Sequence, residues 1–106
     1  MNISDRYREL TDDVRLILDS PVDDSGGEAL KAQQIIDQAA QDMEELEELV
    51  GDIPQMQLES KLTPVLLKSH SQLDRARLLL EELGAEDRAA AVWELEQKIY
   101  RLLNAL

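Results

Sequence analysis

The chain has 106 residues, a net charge of −12 and no cysteine. It is therefore sized for one domain, and it can form neither disulfides nor thiolate metal sites. A chain this acidic repels phosphate backbones, which argues against direct nucleic-acid binding, and its single histidine excludes a histidine-rich zinc site.

The apolar residues favour helices and give no sign of a membrane segment. Leu, Ala, Ile and Val dominate and Phe is absent, a composition that suits helices with aliphatic cores. No apolar run approaches the ~20 residues that a membrane span needs. The opening segment "MNISDRYREL" lacks the apolar core of a signal peptide. We therefore expect a soluble, cytoplasmic protein.

The first two predicted helices cover about residues 3–19 and 27–50, with a loop between them. Apolar residues recur at steps of three and four in both, which is one face of a helix. The two apolar seams are Ile3, Tyr7, Leu10, Val14 and Ile17, and then Ala32, Ile36, Ala39, Met43, Leu46 and Val50. Gly51 follows the second seam, so we expect it to end that helix in a left-handed conformation.

The third and fourth predicted helices cover about residues 57–83, bent near Pro64, and 86–105. Their apolar seams include Leu66, Leu73, Ala76 and Leu80 in the third, and Val92, Leu95, Ile99, Leu102 and Leu106 in the fourth. Gly84 ends the third helix, and the short connection "GAED" implies antiparallel neighbours. The prediction is an all-α fold, an up-and-down antiparallel bundle of four helices, in a single domain that spans residues 1–106.

The densest group of charges lies in "EELEELVGDIP", residues 44–54. The carboxylates of Glu44, Glu45, Glu47, Glu48 and Asp52 form a candidate acidic surface for a basic partner. Residues 1–53 carry 15 acidic and 4 basic side chains, whereas residues 54–106 carry 8 and 7, so the negative charge is concentrated in the first half. The alternative is a solvated helix face with Leu46 and Leu49 inside.

The E-x-x-E spacing in this run resembles that of all-α nucleotide pyrophosphohydrolases of the MazG type. Those enzymes bind Mg²⁺ through paired E-x-x-E and E-x-x-D motifs on facing helices, and the resemblance implies Mg²⁺-dependent hydrolysis. The second motif is broken here, because Leu49 stands three residues before Asp52. We therefore expect no enzyme, no cofactor and no metal site. His70 also lacks the residues that follow the histidine of a phosphotransfer domain, so we interpret it as a surface or boundary residue.

The last helix carries a second stripe beside its apolar seam. Ala89, Trp93, Tyr100 and Leu103 form it, and Trp and Tyr are enriched in interface hot spots. Trp93 and Tyr100 are seven residues apart, nearly in line on the helix, and point away from the seam. We interpret the stripe as a candidate partner-binding surface; the alternative is a wide core face with Trp93 at its boundary.

The small size, acidic charge, helical pattern and amphipathic last helix resemble the small chaperones of bacterial type III and flagellar secretion. The resemblance implies a non-enzymatic protein-binding module of adaptor or chaperone-like character. Its partner would be another protein, of basic charge if the acidic surface is used, or a second copy in a homodimer. The alternative function is an acidic inhibitor that mimics nucleic acid, as acidic helical phage proteins that block nucleases do.

Overall fold

The computed structural model describes residues 2–19 and 27–106. The predicted loop between the first two helices lies outside these residues. The described part forms four α-helices, which are α1 Ile3–Asp19, α2 Gly27–Glu47, α3 Gln55–Glu82 and α4 Glu86–Ala105, and one short 3-10 turn at Val50–Asp52. The predicted all-α bundle of four helices is confirmed.

Each helix packs against two neighbours, so the four helices form a closed ring with α1 and α3 on one diagonal. Hydrogen bonds across the pairs give their direction. Tyr7 in α1 reaches Met43 in α2, and the Gln33 side chain of α2 reaches Leu18 in α1, so the two helices are antiparallel. The 28 residues of α3 extend about 42 Å at 1.5 Å per residue, which matches the 44 Å length of the molecule.

The core is aliphatic and follows the predicted seams. It contains one aromatic ring, that of Tyr7, whose hydroxyl donates to the Met43 carbonyl at 2.6 Å. Burial raises the pKa of Tyr7 far above its usual range, with the acidic end of α2 as a further cause. The fully buried side chains include Ile36, Leu66, Leu73, Val92 and Ile99. Apolar burial of this kind is the main term that stabilises a domain of this size.

The end of α2 differs from the prediction. The α-helix stops at Glu47, three residues early, and the chain tightens into the 3-10 turn that places Val50 in the core. Gly51 is not left-handed, since Gly84 is the one described residue with a positive φ. A Cβ at position 51 would lie 2.8 Å from the Arg8 guanidinium, which is the end of a flexible side chain and can move aside.

The helix α3 begins at Gln55, two residues earlier than predicted, and continues through Pro64 to Glu82. Pro64 has no amide hydrogen, so the carbonyl one turn earlier loses its helical donor. At the other end, Gly84 has φ +78°, its amide donates to Glu81, and the Ala85 amide donates to Leu80. These two bonds form a Schellman motif, which glycine accommodates without strain. The chain then turns directly into α4.

Within residues 2–19 and 27–106, no helix combines the length and the apolarity that crossing a bilayer requires.

Candidate functional site

The second stripe of α4 divides into a buried part and an exposed part. Ala89 is 3% exposed and belongs to the core, so its assignment to a partner-binding surface is wrong. Leu103 is partly buried against the core. Trp93 and Tyr100 are 50% and 57% exposed. The small Ala89 side chain fits beneath neighbouring helices, whereas the two aromatic rings project from the bundle about 10 Å apart along the helix axis.

A buried carboxyl group lies between the two exposed rings. Glu96 is three residues after Trp93 and four before Tyr100, so both rings neighbour it on the helix surface. Glu96 is only 2% exposed. Glu96 was not among the predicted site residues, although its position seven residues from both Ala89 and Leu103 places an acid in the middle of an apolar stripe. That spacing was the available signal.

One arginine of α3 holds this carboxyl and two others. The Arg77 guanidinium donates to Glu96 Oε2 at 3.2 Å, to Asp74 Oδ1 at 2.7 Å and to Glu81 Oε1 at 2.8 Å. Because Asp74 and Glu96 both bind this one guanidinium, the two carboxyl groups lie close to each other. Two carboxylates at such a site repel each other, which favours a proton on one of them.

The pKa shifts place that proton on Glu96. The pKa of Glu96 is raised to about 7, first by burial and then by the neighbouring Asp74, while Arg77 acts in the opposite direction. The pKa of Asp74 is lowered, first by the hydrogen bond from Arg77 and then by the neighbouring Glu96. Two close carboxyls with one proton behave this way when one is more buried than the other. The cluster therefore changes its charge near neutral pH.

The α3 side of this cluster also exposes apolar side chains. Leu67 precedes Asp74 by seven residues and Leu78 follows it by four, so both share its side of α3. Leu67 is 53% exposed and Leu78 is 48% exposed. Because Arg77 of α3 binds both Asp74 and Glu96 of α4, the two helix surfaces meet there. We call this region the α3–α4 face, defined by Leu67, Leu78, Trp93 and Tyr100 around the cluster of His70, Asp74, Arg77, Glu81 and Glu96.

His70 is at the inner end of the cluster. It is half-buried, and its Nε2 lies 3.9 Å from Glu96 Oε1. This distance is too long for a hydrogen bond but short enough for a protonated imidazole to act on the carboxyl electrostatically. The predicted boundary position of His70 is confirmed.

The five carboxylates at the end of α2 do not form one free row. Glu44 pairs with Arg15 of α1, which also binds Asp37 at 3.2 Å. The Arg8 side chain of α1 approaches the end of α2 and donates to the Glu47 carbonyl at 3.4 Å. The exposed residues among the five are Glu45, Glu48 and Asp52.

One detail of this segment differs from expectation. Leu49 is 57% exposed, so its predicted interior position is wrong, whereas Leu46 is partly buried as expected. Burial raises the pKa of Glu47, followed by repulsion from Asp12 and Glu44. Across the described ranges, no three His, Asp or Glu side chains are grouped so that they could hold a metal ion.

Fold and site together define an antiparallel four-helix bundle with an exposed aromatic face over a buried ionisable cluster. Comparison of the chain with protein-family models, with curated proteins and with solved structures gave no match.

Proposed function

We propose that the protein is a non-enzymatic, cytoplasmic protein-binding module, of adaptor or chaperone-like character, that docks its partner on the α3–α4 face. The observation that carries the proposal is the half exposure of Trp93 and Tyr100 two turns apart on one helix. The core contains one aromatic ring, that of Tyr7, and the rings of Trp93 and Tyr100 lie on the surface. Exposed aromatic pairs of this kind supply binding energy at protein interfaces.

The partner's helix is the element that best suits this surface. Two antiparallel helices form a shallow groove, and an amphipathic helix buries its apolar face in such a groove through side chains at steps of three, four and seven. The seven-residue spacing of Trp93 and Tyr100 and the spacing of Leu67 and Leu78 on the facing helix provide contacts on both sides of the groove. A second copy of the chain is the homodimeric version of the same interaction.

The acidic surface at the end of α2 is the second candidate docking site, in the inhibitor or mimic function. Exposed Glu45, Glu48 and Asp52 favour it. It is the weaker candidate because Arg8 and Arg15 approach this end of α2 and Arg15 already pairs with Glu44. A partner held there would be released by salt, since exposed charge pairs are screened, whereas an apolar interface tolerates salt.

The test replaces Trp93 with alanine and compares it with a matched control. Trp93→Ala should leave the free energy of unfolding within ~1 kcal/mol, because the ring is half exposed, and should weaken partner association by ~2 kcal/mol or more. Met56→Ala is the control, since Met56 is 98% exposed at the start of α3, away from the face. Capture from lysate, eluted by increasing salt, and sedimentation at several concentrations measure the two forms of association.

Three results would contradict the proposal. Equal loss of binding in Trp93→Ala and Met56→Ala would remove the argument from this face. Elution of the partner at low salt with no effect of Trp93→Ala would favour the acidic surface instead. Unfolding of Trp93→Ala before any change in association would make Trp93 a core residue.

A further inference from the structure

The ionic cluster beneath the α3–α4 face contains more negative than positive charge. Asp74, Glu81 and Glu96 all bind the one guanidinium of Arg77. The residues one turn from Glu96 on α4 are Val92, Trp93, Ile99 and Tyr100, so its own helix supplies no cation. With both carboxyls ionised, the cluster would carry three negative charges against one permanent positive charge. A proton on the buried Glu96, whose pKa is raised, partly compensates for the missing cation.

The surroundings of the cluster suit a cation brought from outside. Trp93 and Tyr100 lie one turn before and one turn after Glu96, and a lysine or arginine over an aromatic face gains cation–π attraction as well as charge pairing. Asp74, with a side chain 41% exposed, gives the incoming cation an accessible carboxylate above the buried one. Leu67 and Leu78 provide the apolar contacts that hold the stem of a long basic side chain.

We propose that the partner of the α3–α4 face is a basic amphipathic helix that places a lysine or arginine over the carboxyl groups of Asp74 and Glu96, where it supplies the cation that α4 lacks. The inference rests on the proposed function and adds to it the chemistry of the partner and a dependence of binding on pH. The arriving cation replaces the proton, so the carboxyl pair exchanges one positive charge for another.

The sign of the pH dependence follows from this exchange. A partner that carries the cation prefers ionised Glu96, so its affinity is full at pH 8 and decreases as pH falls through about 7. An apolar partner would bury the pair further and prefer the protonated form, which gives the opposite slope. The other groups that face the pair are Arg77, which stays protonated throughout this range, Glu81, which Arg77 also binds, and His70, whose Nε2 lies 3.9 Å from Glu96 Oε1.

The experiment uses displayed helical peptides as probes. A library of amphipathic helices with apolar residues at steps of three, four and seven and one randomised central position is selected at pH 8. Binders that also bind the double variant Trp93→Ala, Tyr100→Ala are discarded. We expect Lys and Arg at the central position. Synthetic peptides with arginine or with its neutral isostere citrulline are then compared, and the arginine peptide should bind at least ~10-fold more tightly at pH 8.

The pH profile of the arginine peptide tests the carboxyl pair itself. Its affinity for the wild type should fall about tenfold from pH 8 to pH 6, as expected for one linked proton with a pKa near 7. Glu96→Gln, which mimics the protonated acid, should bind more weakly at pH 8 and show no such fall. His70→Gln should keep the wild-type profile. Calorimetry in buffers of different ionisation enthalpy counts the released proton.

The failures are distinguishable. If no selected peptide depends on Trp93 and Tyr100, the proposed function fails, and this inference with it. If such peptides are found but prefer apolar or acidic central residues, or if citrulline binds as well as arginine, the face binds helices without a cation and the inference is overturned. A profile unchanged in Glu96→Gln, or abolished in His70→Gln, also overturns it, because the linked proton would then belong to another group.

Discussion

Replacement of Glu96 by glutamine should stabilise the protein at pH 8 and have little effect at pH 5. Glutamine has the size of the protonated acid, its amide can donate to Asp74, and its oxygen can accept from Arg77. Because the folded-state pKa of Glu96 is raised, the wild type holds its proton more tightly when folded than when unfolded. The resulting stabilisation is present in full below the unfolded pKa near 4.5 and is lost as pH rises through about 7.

The size of the effect follows from the same two values. A rise from 4.5 to about 7 corresponds to about 3 kcal/mol at 1.36 kcal/mol per pH unit. Glu96→Gln cannot ionise, so it should be about 2–3 kcal/mol more stable than the wild type at pH 8. At pH 5 most wild-type molecules are protonated in the fold, and the difference should fall below ~1 kcal/mol.

The assay is urea denaturation followed by circular dichroism at constant ionic strength, from pH 5 to pH 8, on both proteins. The comparison of the two proteins cancels the general repulsion of a chain with net charge −12, which also reduces stability at high pH. A difference that stays constant with pH would refute the reasoning, since Glu96 would then have the same pKa in the folded and unfolded states. A less stable Glu96→Gln at pH 8 would mean that the ionised carboxylate and Arg77 form a net favourable pair.

Three other predictions follow from the core and the acidic segment. Leu73→Ala should lower the free energy of unfolding by ~2–5 kcal/mol, because Leu73 is fully buried. The exposed control Leu67→Ala should change it by less than ~0.5 kcal/mol. Equal effects of the two changes in denaturant melts would mean that the buried face of α3 is assigned wrongly. Tyr7→Phe should reduce stability by ~1–3 kcal/mol, because it removes the 2.6 Å hydrogen bond to a buried carbonyl; an unchanged unfolding midpoint would argue against that bond. The protein should show no Mg²⁺-dependent hydrolysis of nucleoside triphosphates, and an activity that requires Mg²⁺ and disappears in Glu48→Gln would contradict the proposal of a binding module.

The helices and their buried faces could be predicted because each depends on local periodicity. The apolar residues of the four seams are all buried or partly buried, as expected. The end of α3 at Gly84 could be predicted in the same way, since a glycine after the last apolar residue often takes the left-handed conformation that ends a helix. Gly51 followed the same pattern and behaved differently. There the chain forms a 3-10 turn that places Val50 in the core, and this burial is a tertiary effect.

The candidate site was predictable in part. The exposure of Trp93 and Tyr100 follows from their angle to the seam, which sequence alone provides. The charge balance at the end of α2 does not follow from the sequence alone, because Arg8 and Arg15 reach this end from α1. The sequence suggested an acidic helix end without any cation, whereas the fold supplies two from α1. Glu96 was missed for a related reason, since a glutamate is assigned to solvent unless its partner is known, and Arg77 lies on α3.

The placement of the single tryptophan separates two spectroscopic signals. Trp93 is already half in water in the folded state, so its fluorescence should change little when the bundle unfolds. A partner that covers the α3–α4 face would remove that water and shift the emission to shorter wavelength. The buried phenol of Tyr7 has the opposite position, inside the core and away from the face. The tryptophan signal thus reports on occupancy of the face. Of the two tyrosines only Tyr7 is buried, since Tyr100 lies on the face, so the change in tyrosine environment on unfolding belongs mainly to Tyr7.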